Sequence, residues 1–177
     1  FEKAAEKDNF EAQNGLGLCY YNGNGVEQDY QKAVEWYQKA TEQNYREAQT
    51  NLGLCYYNGN GVEQDYSKAI EWYEKAAQQG EVSAQYYIGL CYYKGEGIEK
   101  NNKEAAKYFK KSADKGNPEA MFHYALMSLN GEGIPINKKE GIKYIKMAVD
   151  KGELNAISVY GNMLLNGGDV EMNKEEG

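Results

Sequence analysis

Histidine, clustered basic residues and long apolar runs are rare or missing in this 177-residue chain. No apolar run approaches the roughly 18 residues that a membrane-spanning helix needs, so membrane insertion is not expected. The net charge is −7, and lysine and arginine form no cluster that would neutralise phosphates. Nucleic acid and anionic membranes are therefore not expected as partners.

The residues that most enzymes use for catalysis are also sparse. His123 is the only histidine, and no serine or cysteine stands in an evident triad with it. One S-x-x-K match runs from Ser112 to Lys115, but neither K-T-G nor S-D-N accompanies it. A metal site needs several close ligands, and the three cysteines are spaced too widely to supply them. We therefore expect no enzyme activity, no catalytic residue, no metal and no cofactor.

What the chain does contain is a repeat. The string LGLCYYNGNGVEQDY occurs at residues 16–30 and again, unchanged, at residues 52–66, which is 36 residues later. Weaker copies begin at Ile88, Tyr124 and Tyr160. A fixed period of this length indicates a solenoid, in which each repeat buries its apolar face against its neighbours. No linker interrupts the pattern, so we expect one array with full repeats at about 12–47, 48–83, 84–119 and 120–155, and partial repeats at 1–11 and 156–177.

Each repeat has the pattern of two helices joined by a turn. In the second repeat, residues 48–56 carry an apolar stripe at helical spacing, and Gly59 follows where a left-handed residue ends a helix. Asp65 then stands at an N-cap position before a second apolar stripe over residues 66–77. No segment shows the alternation of a strand. The predicted fold class is therefore all-α.

Small residues hold one fixed place in the middle of the first helix. Glycine there costs roughly 1 kcal/mol relative to alanine. We therefore expect the second helix to cross this place too closely for a larger side chain. The residues concerned are Gly17, Gly53, Gly89, Ala125 and Gly161.

The three cysteines, Cys19, Cys55 and Cys91, also recur every 36 residues. Adjacent helices pack about 8–10 Å apart, whereas the Cα atoms of a disulfide lie within about 7 Å, so equivalent cysteines are too distant to bridge. We expect three free, buried thiols in preference to a metal or redox site. Free thiols favour a reducing compartment. The compartment itself stays unknown, because Phe1 already lies inside a repeat and no targeting segment can be read.

The pattern as a whole resembles the Sel1-like repeat family, a relative of the tetratricopeptide repeats. The resemblance implies a right-handed α-solenoid of antiparallel helix pairs, in which the first helices line a concave groove. It also implies the roles of adaptors, assembly scaffolds and regulatory subunits, with no chemistry shared among members. The residues that carry the match in the second repeat are Ala48, Leu52, Gly53, Tyr56, Gly59, Gly61, Val62, Asp65, Lys68, Ala69, Trp72, Tyr73, Lys75, Ala76, Ala77 and Gly80.

On a helical wheel, the groove side of the first helices is unusually apolar and aromatic, which is typical of an interaction site. We expect a scaffold or adaptor that binds a peptide or protein segment there, with aromatic anchors and with Lys94 available to an acidic group. The alternative is that these side chains only pack against neighbouring first helices. The predicted partner-binding residues are Leu54, Tyr57, Asn58, Tyr86, Tyr87, Leu90, Tyr93, Lys94, Phe122, His123, Leu126, Leu129 and Asn130.

Two other functions stay open from the sequence. The array would serve as an architectural segment if its ends associate with those of another copy, so end-to-end self-association is a further expectation. A β-lactamase-like hydrolase is less expected. The hydrolase hypothesis rests on the resemblance, because some cysteine-rich members of the Sel1-like repeat family have been described as β-lactamase-like.

Overall fold

The computed structural model of the chain describes Ala5 and residues 9–165, and the part it describes contains nine α-helices and no strand. The all-α prediction is therefore confirmed. The chain divides into two compact units, residues 1–100 and residues 101–177. Most of the partial repeat predicted at 1–11, and residues 166–177, lie outside the described residues. The helices of the first unit are α1 (Phe10–Asn22), α2 (Tyr30–Glu42), α3 (Arg46–Asn58), α4 (Tyr66–Gln78) and α5 (Val82–Lys94), and those of the second are α6 (Asn102–Ala113), α7 (Pro118–Asn130), α8 (Lys138–Asp150) and α9 (Leu154–Leu165).

The helices form the pairs that the 36-residue period predicts. The first helices of successive pairs (α1, α3, α5, α7 and α9) begin at residues 10, 46, 82, 118 and 154. Within the first unit α1 packs against α2 and α3 against α4, and within the second unit α7 packs against α8. None of the helices in the described part is long and apolar enough to cross a membrane.

Side-chain caps and left-handed residues fix the helix ends. The Asp65 carboxylate accepts a hydrogen bond of 3.0 Å from the backbone N–H of Lys68 and caps α4, as predicted. Helix α3 ends at Gly59, which is left-handed with φ of 73°. Asn44 has φ of 58° where the next repeat has Gly80 with φ of 85°. Asparagine fits this place because it enters the left-handed region more readily than most residues.

The close crossing predicted at the mid-helix glycines is confirmed at Gly53 and Gly17. A Cβ atom on Gly53 would lie 2.7 Å from Cε1 of Tyr73 and 3.2 Å from the carbonyl oxygen of Ala69. Both partners belong to α4. The same arrangement occurs one repeat earlier, where a Cβ atom on Gly17 would lie 2.5 Å from Cε1 of Tyr37. Glycine therefore lets an aromatic ring of the second helix lie directly on the backbone of the first.

The three cysteines are free, but only two of them are buried. Cys55 and Cys91 have no exposed surface, whereas Cys19 is half-buried, so the prediction of three buried thiols is wrong for Cys19. Cys55 is covered by Ala33 and Val34 of α2, the second helix of the preceding pair. Cys19 packs against a different cluster, formed by Ala5, Ala12 and Leu16, and keeps part of its surface exposed.

The thiols should differ in reactivity. Burial raises the pKa of Cys55 and of Cys91 to about 12, so both thiols stay neutral at pH 8, and the thiolate is the reactive form. We expect one fast thiol, Cys19, and two protected ones when the folded chain is titrated with a disulfide reagent at pH 8. All three should react after denaturation, and Cys19→Ser should remove the fast phase. Three equal rates in the folded chain would contradict the burial of Cys55 and Cys91.

Removing the hydroxyl group of Tyr73 should make the folded chain more stable. The side chain is fully buried, and its oxygen has no hydrogen-bond partner among the described residues. Phe109, which has no hydroxyl, stands 36 residues later and is also fully buried. Because an unsatisfied buried hydroxyl is costly, we expect Tyr73→Phe to raise the free energy of unfolding by about 1 kcal/mol. Urea denaturation measures this, and a lower midpoint for the variant would mean that the hydroxyl has a partner.

Candidate partner-binding surface

The thirteen predicted residues lie on the first helices α3, α5 and α7, and every one of them is half-buried or exposed. On the opposite side of α3, Ala48, Leu52 and Cys55 are at most 1% exposed. The buried side of α3 is therefore distinct from the side that carries Leu54, Tyr57 and Asn58, although Thr50, which the wheel places on the accessible side, is only 6% exposed. We name the thirteen residues the first-helix face. The first unit holds Leu54, Tyr57, Asn58, Tyr86, Tyr87, Leu90, Tyr93 and Lys94, and the second unit holds Phe122, His123, Leu126, Leu129 and Asn130.

Tyr57 links its own repeat to the turn of the next one. Its hydroxyl donates a hydrogen bond to the Glu96 carboxylate and accepts one of 2.8 Å from Nζ of Lys94. Lys94 Nζ also lies 3.6 Å from a carboxylate oxygen of Glu96. Burial, together with the hydrogen bond to Glu96, raises the pKa of Tyr57, so the hydroxyl stays protonated at neutral pH. Lys94 therefore already has an anionic neighbour in the same turn.

The same link occurs one repeat earlier with different chemistry. Nδ2 of Asn60 donates a hydrogen bond of 2.9 Å to the hydroxyl oxygen of Tyr21. Asn60 and Glu96 stand 36 residues apart, as do Tyr21 and Tyr57. The repeat pattern did not predict this role of Asn60 and Glu96. The signal for it was a tyrosine at the same place in α1 and α3 and a polar residue 39 positions after each.

Tyr86 and Tyr87 extend a stack of rings outward from the core of the first unit. The Tyr87 ring stacks on the buried Tyr73 ring, with centroids 5.1 Å apart and planes 18° apart. Tyr86 is tilted against Tyr87 at a centroid distance of 5.3 Å. Since Tyr73 is fully buried against Gly53, the ring of Tyr87 rests on a ring of the core. Both outer rings are half-buried and present part of their surface to solvent.

The second unit repeats this arrangement with other residues. The His123 ring stacks on the buried Phe109 ring at 5.0 Å and 17°, and Phe122 meets His123 edge-on at 5.8 Å. Each unit thus places two adjacent aromatic side chains over a buried ring of the preceding second helix. The outer pairs belong to the predicted partner-binding residues, whereas Tyr73 and Phe109, which support them, do not.

Two residues of the first-helix face in the second unit have contacts within their own helix pair. A Cβ atom on Gly141 of α8 would lie 2.6 Å from Cγ of Leu129, so Leu129 packs closely onto that helix. Nδ2 of Asn130 donates a hydrogen bond of 3.2 Å to the Glu132 carboxylate in the following turn. Leu129 therefore packs against the second helix of its own pair, whereas the packing alternative named neighbouring first helices. Asn130 and Asn58 are exposed at the ends of their helices.

The residues considered for catalysis are not arranged as a catalytic site. Ser112 of the S-x-x-K match is 0% exposed within α6, so its hydroxyl does not face solvent. His123 stacks on Phe109 as described above. Among the described residues no group of three or more histidine, cysteine or acidic side chains is placed to hold a metal ion.

Comparison with known proteins gives a family match and several similar structures. The model of the Sel1 repeat family matches residues 10–45, 46–81, 82–117 and 118–153. No curated protein sequence matches the chain significantly. A protective antigen of uropathogenic Escherichia coli, which displays an SLR fold, is 35% identical with a TM-score of 0.81, and the match covers 94% of this chain and 36% of that one.

Two further structures extend the comparison. A Sel1 repeat protein of Oxalobacter formigenes is 35% identical with a TM-score of 0.73, and the match covers 85% of this chain and 62% of that one. Cysteine-rich protein B of Helicobacter pylori is 23% identical with a TM-score of 0.59, and the match covers 77% of this chain and 98% of that one. At this identity the likeness is one of fold alone. The chain thus spans less than two thirds of the two 35%-identical structures.

Proposed function

The chain belongs to the Sel1 repeat family, and we propose that it is a non-catalytic scaffold that binds a peptide or protein segment along the first-helix face. Sel1 repeat proteins are generally protein-interaction scaffolds, and their fold is typically non-catalytic. The two 35%-identical structures are longer than this chain, so the partner and the function of the whole protein are part of the proposal.

The observation that carries the proposal is the pair of outer rings in each unit. Tyr86 with Tyr87, and Phe122 with His123, are partly exposed and rest on rings that are fully buried. Large rings held in one orientation offer contact area to a partner at little cost in conformational entropy. Aromatic side chains in such positions are the residues that most often dominate binding energy. Each unit therefore offers a pre-organised apolar anchor point.

Polar groups at the ends of the first helices favour an extended polypeptide as the ligand. Asn58 and Asn130 are exposed at the ends of α3 and α7, and an amide side chain both donates and accepts hydrogen bonds, as a peptide backbone requires. Lys94 is exposed but is already near Glu96, so an acidic ligand group would have to compete with that carboxylate. We therefore propose recognition mainly through apolar contacts and backbone hydrogen bonds.

The test is a double variant, Tyr86→Ala with Tyr93→Ala, used in affinity capture from a lysate of the native host. We expect the captured protein to be lost, a change of at least about tenfold in affinity, because the variant removes the anchor Tyr86 and a second aromatic side chain of the first-helix face. The melting midpoint should fall by no more than about 5 °C, since both side chains are only half-buried. Glu71→Ala with Glu74→Ala, on the exposed side of α4, is the control and should retain the partner. A large loss of stability in the tyrosine variant would favour a packing role.

End-to-end self-association is a second proposal, favoured by the exposed apolar residues of α9. Leu154 is 78% exposed and Leu165 is 85% exposed. Light scattering over a range of concentrations tests it, because association through these residues should raise the average mass as concentration rises. A constant monomer mass would leave the first-helix face as the proposed interaction site.

A further inference from the structure

The second helices of the second unit are basic, although the chain as a whole has a net charge of −7. In the first unit, the second helices α2 and α4 each contain two lysines and two glutamates. In the second unit, α6 contains four lysines and one glutamate, and α8 contains four lysines, one glutamate and one aspartate. The excess of lysine therefore belongs to α6 and α8.

Two exposed positions of the second helix create this difference. Both pairs of the second unit have lysine at both positions, and we name these four residues the lysine face. In the first unit an amide, a hydroxyl or a carboxylate side chain stands there and is equally exposed, so packing does not require lysine. The lysine face consists of Lys103, Lys107, Lys139 and Lys143, and the residues at the same positions of the first unit are Gln31, Glu35, Ser67 and Glu71.

The fold brings the four lysines to one surface. Within each helix the two lysines are four residues apart, which places them on one side of the helix and about 6 Å apart along its axis. Helices α6 and α8 lie side by side, since Nζ of Lys110 is 3.1 Å from the Glu140 carboxylate and 3.0 Å from the Tyr144 hydroxyl. The lysine face is therefore a two-by-two array of positive charges.

Most of this charge is not neutralised by the second unit itself. Lys103, Lys139 and Lys143 form no ion pair with any residue that the structure describes. Lys107 lies 3.0 Å from the Glu104 carboxylate, but exposed pairs of this kind contribute little energy. The lysine face can therefore attract an anionic partner with little competition from carboxylates of its own unit.

We propose that the lysine face binds an acidic polypeptide segment of a partner protein. Carboxylates are the complementary groups, and a short segment can contact α6 and α8 alone. A nucleic acid or a membrane would extend beyond these two helices and meet the rest of a chain with a net charge of −7. The lysine face lies on second helices, so this proposal does not depend on the function proposed for the first-helix face.

Two further features favour a polypeptide over the other polyanions. Residues 101–177 contain no arginine, the residue that best pairs with a phosphate through two hydrogen bonds. Within α6 and α8, no large apolar side chain is exposed that could enter a lipid surface. The lysine face therefore lacks the groups that strengthen binding to phosphate backbones and to membranes.

The test uses a fluorescein-labelled peptide of ten glutamates as the probe. Its fluorescence anisotropy is followed as the full chain is added at about 0.15 M salt. We expect saturable binding, and binding at least about tenfold weaker for Lys107→Glu with Lys143→Glu, because two of the four charges are reversed. The variant installs the residue that the first unit has at this position, so the melting midpoint should stay within about 3 °C of the parent chain.

The matched control is Lys32→Glu with Lys68→Glu, which changes the net charge equally but on the exposed surface of α2 and α4. Its glutamates are likewise those of the second unit at the same position, Glu104 and Glu140. We expect this control to bind the peptide like the parent chain. Equal weakening by both variants would reduce the effect to net charge and would overturn the proposal, as would the absence of saturable binding.

Two other probes test the competing occupants. They are a labelled oligothymidylate with the same charge as the peptide and vesicles that contain phosphatidylserine. We expect the oligothymidylate to bind more weakly than the peptide and the chain not to sediment with the vesicles. Tighter binding of the oligothymidylate, or sedimentation with vesicles that Lys107→Glu with Lys143→Glu abolishes, would assign the lysine face to nucleic acid or to a membrane and would overturn the proposal.

Discussion

Gly61→Ala should destabilise the first unit by at least about 3 kcal/mol and lower the melting midpoint by on the order of 10 °C. A Cβ atom at this place would lie 2.3 Å from the carbonyl oxygen of Tyr30 and 2.9 Å from the backbone nitrogen of Gln31. Backbone atoms at the start of α2 cannot move aside without moving the helix. Gly61 also has φ of 74°, which alanine adopts only with strain.

The variant Gly25→Ala measures the cost of backbone strain at positive φ without the steric clash with α2. Gly25 has nearly the same backbone conformation, with φ of 75°, but no described atom lies within 4 Å of its added Cβ. We therefore expect a loss of only about 1 kcal/mol there, the cost of a left-handed alanine. Thermal and urea denaturation of both variants measure the difference. Equal losses would mean that the contact of Gly61 with α2 does not hold successive repeats together.

Gly53→Leu is the second large expected effect and should cost about 4 kcal/mol or more. Leucine in place of Gly53 would occupy the volume of the Tyr73 ring, which is fully buried and has no room to shift. Far-UV circular dichroism should show lost helix, and the melting midpoint should fall. The control is Gly161→Leu, since nothing described lies within 4 Å of that position and leucine favours a helix. If Gly53→Leu melts like the parent chain, the close crossing is wrong.

A compensating change makes this test stricter. In the fourth pair the small residue has moved from the first helix to the second, and an aliphatic side chain replaces the ring. There Ala125, Gly141 and Ile145 stand where the second pair has Gly53, Ala69 and Tyr73. We expect Gly53→Ala alone to lower the melting midpoint and the triple variant with Ala69→Gly and Tyr73→Ile to recover part of it. No recovery would mean that the two pairs are packed differently.

The period accounts for most of the fold that could be predicted from sequence. Once the repeat was aligned, Asp65 as a cap, Gly59 as a helix end and Gly53 as a crossing point followed from local chemistry, and the structure confirms each of them. These features depend on contacts within one helix pair. A single repeat contains all the residues needed to infer them.

What the sequence could not give are the contacts between successive repeats. The bond from Tyr57 to Glu96 joins residues 39 positions apart, and the support of Tyr87 by Tyr73 depends on the distance between α4 and α5. The repeat position predicted a buried Cys19, but its neighbours Ala5, Ala12 and Leu16 leave it half-buried. A helical wheel describes one helix and carries no information about its neighbours. The separation of partner-binding from packing residues on the first-helix face therefore stays a prediction.

Site-specific photo-crosslinking in the native host tests most directly whether the first-helix face binds a partner. A benzophenone amino acid in place of Tyr86 reports on that face, and the same amino acid in place of Glu71 reports on the exposed side of α4. Our account predicts a discrete cross-linked product, carrying a segment of one host protein, from position 86 and none from position 71. Products from position 71 alone, or from neither position, would contradict binding along the first-helix face.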